Sequence, residues 1–179
     1  MQNAIRRIIA KIAVELGDEF DQNFQRQAFF SEAWQRRTSP VNGKYNILAG
    51  PQQTLRKSIR RKTDAGGVSF SSDLPYAAIH NEGGQITVTQ RMKGYFWHRY
   101  REATGALTRR KDGALRRNKQ NLRLTTEAEF YRAMALKKVG SVIKIPRRQF
   151  LGMHPAVEKR VREIIDTELT DFFHTNGLK

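Results

Sequence analysis

At His80-Asn81-Glu82 an imidazole, an amide and a carboxylate stand side by side. The triplet resembles a fragment of a nuclease signature, and the basic character of the chain would suit a phosphodiester substrate. A metal-dependent nuclease needs convergent His, Asp or Glu ligands around a cation and a general base near the scissile phosphate. Near the triplet only Asp73 and Glu82 supply carboxylates, and no second histidine-rich segment follows at a ligand-like spacing. His98 falls in a basic stretch, His154 at a helix start and His174 near the C-terminus, positions that suit surface or capping roles. The sequence has no cysteine and no glycine-rich phosphate loop ending in Lys-Ser/Thr. The residues predict neither a catalytic centre nor a metal or cofactor site.

The same stretch, "YAAIHNEGG" from Tyr76 to Gly84, also fits a structural reading. As a strand it would put Tyr76, Ala78 and His80 on one face and Ala77, Ile79 and Asn81 on the other. Gly83-Gly84 would then supply positive φ angles for a sharp reversal into a strand at Ile86. In this reading His80 orients the turn by hydrogen bonding.

The elements that must position these residues follow from composition and periodicity. In 179 residues there are 33 Lys plus Arg against 17 Asp plus Glu, a net charge of +16. Such a balance favours nucleic acid, acidic protein or anionic membrane surfaces as partners, and says nothing about fold. Hydrophobic residues make up 39%, which predicts that part of the chain stays outside the core. No run approaches the ~20 apolar residues of a membrane span. Arg6, Arg7, Lys11 and Glu15 interrupt any signal-type apolar segment. The expectation is a soluble intracellular protein of one domain, residues 1–179, with no membrane contact.

Ile5, Ile9, Ile12, Leu16, Phe20 and Phe24 form a helical stripe with charged residues opposite, and Gly17 is a candidate bend. From Phe29 to Gly50 the periodicity breaks, predicting an irregular arm with a turn at Asn42-Gly43. Gln52 to Lys62 reads as one or two helical turns after Pro51. Val68 and Phe70 alternate with Ser69 and Ser71 as a half-exposed strand, and Ile86 to Thr89 and Val142 to Pro146 give two more. Thr126 and Glu129 form a capping-box pattern before a helix running to about Lys138. A last helix begins after His154 with Pro155 at its first position and Val157, Val161, Ile164, Ile165, Leu169, Phe172 and Phe173 on one face.

Between them, Arg91 to Arg123 holds eleven Lys or Arg against Glu102 and Asp112, a local net of +9. Its scarcity of aliphatic residues predicts a stretch that buries little and stays mobile. Pairing of the Ile86 and Val142 strands would make residues 91–141 a basic insertion at a hairpin tip. Arg109, Arg110, Lys111, Arg116, Arg117, Lys119 and Arg123 are its candidate contacts for packaged DNA or an acidic protein surface. The fold class predicted is α+β, a small mixed or antiparallel sheet between N- and C-terminal amphipathic helices.

Two segments together resemble a known family. Tyr76, Ala77, His80, Gly83 and Gly84 match a Tyr-Ala-x-x-His-x-x-Gly-Gly pattern. Ile145, Pro146, Arg148, Phe150, Leu151 and Gly152 match an Ile-Pro-x-Arg-x-Phe-Leu-Gly pattern ahead of the last helix. Upstream, "FFSEAWQRR" and "ILAGPQQTLRKSI" (Ile47 to Ile59) are similar to two further segments, the second with a shifted Gly50 and an intervening Pro51. The chain thereby resembles the phage virion morphogenesis family, the tail-completion group of Mu-like and related tailed phages. The resemblance implies a non-enzymatic structural protein of a phage or prophage. It would assemble as a homo-oligomeric ring at the head-proximal end of the tail and help join tail to head. Its partners would be other tail and head-tail connector proteins, in the virion neck and, during assembly, in the host cytoplasm. A DNA- or RNA-binding protein using the basic insertion is the alternative.

Overall fold

The computed structural model describes residues 2–175. Among them, three antiparallel two-stranded sheets and six helices make an α+β fold. The chain forms two compact units.

The first unit comprises residues 2–35, 45–83 and 146–175. Its longest helix, α1 (Gln2–Arg26), runs unbroken through Gly17. The predicted stripe is buried from Ile12 through Leu16 and Phe20 to Phe24, whereas Ile5 is 47% exposed. The other long helix, α6 (Pro155–Thr175), puts Val157 and Ile164 into the same cluster as Ile12, Leu16, Phe20 and Phe29. Two ion-pair sets join α1 and α6: Glu168 takes both Arg7 and Lys11 at 3.0 Å, and Arg160 meets Glu15 at 2.6 Å. His154 Nδ1 accepts from the backbone N–H of Ala156 at 3.1 Å and so caps α6, with Pro155 at the first helical position as expected.

The irregular arm contains a minimal hairpin, β1 (Ala28–Phe29) with β2 (Glu32–Ala33). The short α2 (Thr54–Lys57) stops at Ser58, and the next residues are a strand rather than more helix. β3 (Ile59–Asp64) pairs with β4 (Gly67–Ser72), with Arg61 opposite Phe70. Arg60, Arg61, Lys62 and Asp64 occupy successive faces of β3, with Arg61 donating to the Ala13 carbonyl at 3.0 Å, so no apolar alternation marked it; Val68 and Phe70 of its partner β4 pack on the α1 cluster. A second cluster joins Phe24, Trp34, Leu55, Ala77 and Phe150. The helix α3 (Ala77–Glu82) lies in this unit.

The second unit comprises residues 36–44 and 84–145. β5 (Gly84–Thr87) pairs antiparallel with β6 (Val142–Ile145), Ile86 opposite Ile143, so the predicted pairing holds. Between these strands lie α4 (Gln90–Gly105) and α5 (Lys119–Leu136). The expectation of a stretch that buries little is corrected here. Phe96, Tyr100 and Ala103 on α4, at spacings of four and three, pack against Leu124, Ala128 and Tyr131 on α5, at four and three. Aromatic rings and alanines supply most of this core, with Leu124 as its buried aliphatic residue. Arg99 lies over the Tyr131 ring at 5.5 Å and pairs with Glu102 at 2.6 Å, so part of the positive charge is held within the hairpin.

The predicted capping box is also corrected. α5 begins about two turns earlier, where Asn118 Oδ1 accepts from Asn121 N at 2.8 Å, and Thr126 lies mid-helix bonded to the Leu122 carbonyl. Asparagine is among the best N-cap residues, and Asn118 was the legible start signal.

Candidate functional site

Within the stretch Tyr76 to Gly84, Ala77 to Glu82 is helical, not a strand. Positions four apart therefore share a side, and the two relevant pairs behave accordingly. Ala77 is buried beside Phe150, and Asn81, one turn on, bonds to the same segment. Tyr76 and His80 stack edge to face with ring centroids 6.1 Å apart. The three-residue apolar lead reads as a strand only if a partner strand satisfies its backbone, and here α3 satisfies itself locally. Of the two glycines, Gly83 has φ +76° and ends α3, while Gly84 opens β5.

Residues 76–83 and 146–152 meet in the first unit. Arg148 N donates to the His80 carbonyl at 2.7 Å. Asn81 Oδ1 accepts from Phe150 N at 2.9 Å and Leu151 N at 3.0 Å. From α1, the fully buried Asn23 donates to the Phe150 carbonyl at 3.4 Å and accepts from Phe30 N at 3.0 Å. Trp34 Nε1 donates to the Gln149 carbonyl at 2.7 Å, and the buried Arg148 donates through Nε to the Gln35 carbonyl at 2.9 Å. The irregular segment from Pro146 to Gly152 has no sheet or helix to satisfy its amides, so buried side chains do so. Phe150 is 1% exposed, as expected, but Leu151 is only half-buried. Pro146 directly follows the end of β6, and Gly152, at φ +126°, turns the chain toward α6. Ile145 closes β6 opposite Gly84.

His80 does not orient a turn through its ring. Its Nδ1 is buried without a hydrogen-bond partner among the described residues, and its backbone carbonyl makes the contact to Arg148 instead. Burial, and secondarily the nearby Arg148 charge, hold the imidazole pKa below its ordinary value, so the ring is neutral. Glu82 is exposed, and Asp73 is tied up in an exposed pair with Arg60 at 2.9 Å. Among the described residues, no three His, Asp or Glu side chains converge as a cation site requires.

The basic residues assemble differently. Between α4 and α5 the chain makes a small arch, with Arg109 bridged to Leu115 and Arg110 N bonded to the Ala114 carbonyl at 2.7 Å. Its organiser is Asn121, 4% exposed, which sequence reasoning passed over. Asn121 Oδ1 accepts from Thr108 N and Oγ1 at 3.0 and 3.1 Å, and Nδ2 donates to the Thr108 and Arg116 carbonyls, both at 2.8 Å. All four hydrogen bonds open to an amide side chain are thus made. Arg109, Arg110, Lys111, Arg116, Arg117, Lys119 and Arg123 are all exposed. Arg109 donates to the Gly113 carbonyl, Arg116 to the Arg109 carbonyl, and Arg123 pairs with Glu127 at 3.7 Å.

Fold and site together describe an α+β protein in which residues of the two matched segments hydrogen-bond to each other's backbone. The model of the phage virion morphogenesis family matches residues 2–170, nearly the whole chain, and the protein belongs to that family. No curated protein and no solved structure matches the chain at a significant level. Membership gives the protein a structural or morphogenetic role associated with the virion. Among the described residues, no helix is long and apolar enough to cross a membrane.

Proposed function

We propose that the protein is a tail-completion factor, a non-catalytic subunit that finishes the tail and helps join it to the head as a homo-oligomeric ring. The family match over residues 2–170 carries this reading. The surfaces of the two long helices support it. Ile5 and Val14 on α1 are 47% and 48% exposed, and Phe173 on α6 is 45% exposed. Burying such side chains against a second copy would stabilise a ring at about 25 cal/mol per Å² of apolar surface removed from water. The tail tube and the head-tail connector are the partners this reading requires.

Two measurements test it. Sedimentation of the purified chain over a wide concentration range should reveal a species many times the 20.7 kDa protomer. Deleting the gene in its phage or prophage should leave heads and tails that accumulate unjoined. A strict monomer at every concentration, or a deletion lysate full of joined particles, would refute the reading.

A further inference from the structure

The arch between α4 and α5 has a property that tail joining does not require. From Arg109 to Arg123 there are seven cations, five of them arginine, against the single acid Asp112. That acid is engaged locally, its Oδ1 accepting from Ala114 N at 3.0 Å. Arg110, Arg116, Arg117 and Lys119 line one groove at the start of α5, with no acidic side chain among its walls. The arch is closed by the single Arg109–Leu115 bridge, with its Arg110–Ala114 and Arg116–Thr108 backbone bonds. Asn121 holds this arch onto α5 through four hydrogen bonds, so the cations start from a fixed backbone.

We propose that this arch is a contact site for the phosphate backbone of duplex DNA. Duplex DNA presents one charge per ~1.7 Å of axis, a density that matches several closely spaced cations better than a folded acidic surface does. Arginine forks bind phosphate oxygens in bidentate fashion, and phosphate contacts carry no sequence information. Binding is therefore independent of base sequence and steeply salt-dependent.

The test uses the full chain and a short mixed-sequence duplex, with affinity followed by fluorescence anisotropy from about 50 to 200 mM salt. Three variants are compared with wild type. The first changes Arg110, Lys111 and Arg117 to Ser, residues whose side chains make none of the arch's hydrogen bonds. The second changes Arg6, Arg132 and Arg162 to Ser, removing equal charge elsewhere. The third is Asn121→Ala, which keeps every cation and loosens the arch. The first variant should lose about 2.7 from the slope of log affinity against log salt, 0.9 for each phosphate contact. The second should keep the wild-type slope, and the third should bind at least several-fold more weakly. Equal slopes for wild type and the first variant would overturn the proposal, as would an equal loss in the second. Retained duplex binding with lost binding to polyglutamate would overturn it in favour of an acidic protein. None of these readouts depends on ring formation, so the joining role stands or falls separately.

Discussion

Asn81 Oδ1 accepts the backbone N–H groups of Phe150 and Leu151 at 2.9 and 3.0 Å, across sixty-nine and seventy residues of chain. One side chain at the end of a six-residue helix thereby fixes the irregular segment that leads into α6. Asn81→Leu removes the acceptor and leaves two amides without partners. Because each orphaned amide costs roughly 1–3 kcal/mol, and water reaches this half-buried site, the expected loss is about 2–3 kcal/mol. Asn81→Asp keeps the acceptor and should lose less. Urea unfolding of the three proteins checks the order; equal midpoints for all three would show that the bonds contribute nothing.

Phe150 is 1% exposed and packs at 5.3 Å, ring centroid to ring centroid, on Phe24. Phe150→Ala opens a cavity in the cluster that also holds Trp34, Leu55 and Ala77. The expected cost is about 3–5 kcal/mol. A soluble variant with an unchanged melting temperature would contradict the packing.

Two glycines should respond in opposite directions to the same substitution. A Cβ on Gly83, at φ +76°, would lie 2.9 Å from the Arg147 amide nitrogen. Backbone cannot retreat as a flexible side chain can, so Gly83→Ala should destabilise by roughly 1–3 kcal/mol. Gly94 lies inside α4 with nothing within 4 Å of its would-be Cβ. There Gly94→Ala should stabilise by about 0.5–1 kcal/mol through helix propensity. Thermal unfolding separates the two, and a stabilised Gly83→Ala would mean that the Arg147 approach is wrong.

His80 makes the stability depend on pH in one direction. Its pKa is lowered in the folded protein, first by burial and then by Arg148, from an ordinary value of 6.5. The unfolded chain therefore binds a proton before the folded one does. Stability is fully present above about pH 6.5 and falls as pH drops below that value toward the folded pKa. His80→Gln should flatten this loss between neutral pH and about pH 5, because the remaining group does not titrate. Chemical denaturation across that range checks it. Identical pH dependence in wild type and variant would remove His80 as the cause.

Periodicity and turn chemistry in the sequence determined the two long helices, the β4, β5 and β6 strands and the placing of residues 91–141 between the paired β5 and β6. These features are local: a stripe at spacings of three and four, or strict alternation, decides which face is apolar before any tertiary contact exists. The patterns at Tyr76 to Gly84 and Ile145 to Gly152 also identified the family correctly.

Tertiary structure alone decided the rest. The backbone of "YAAIHNE" is helical because Ala77 and Asn81, four apart, both face the Phe150 segment, and residues far along the chain set that choice. β3 is a strand because β4 pairs with it, although its own residues are charged and show no alternation. The arginine-rich hairpin is ordered because Phe96, Tyr100 and Ala103 find Leu124, Ala128 and Tyr131, a core of aromatic and small residues that an aliphatic count overlooks. Asn121 and Asn23 carry no sequence signal of their importance, since a polar residue becomes a structural node only when folding buries it among unsatisfied backbone groups.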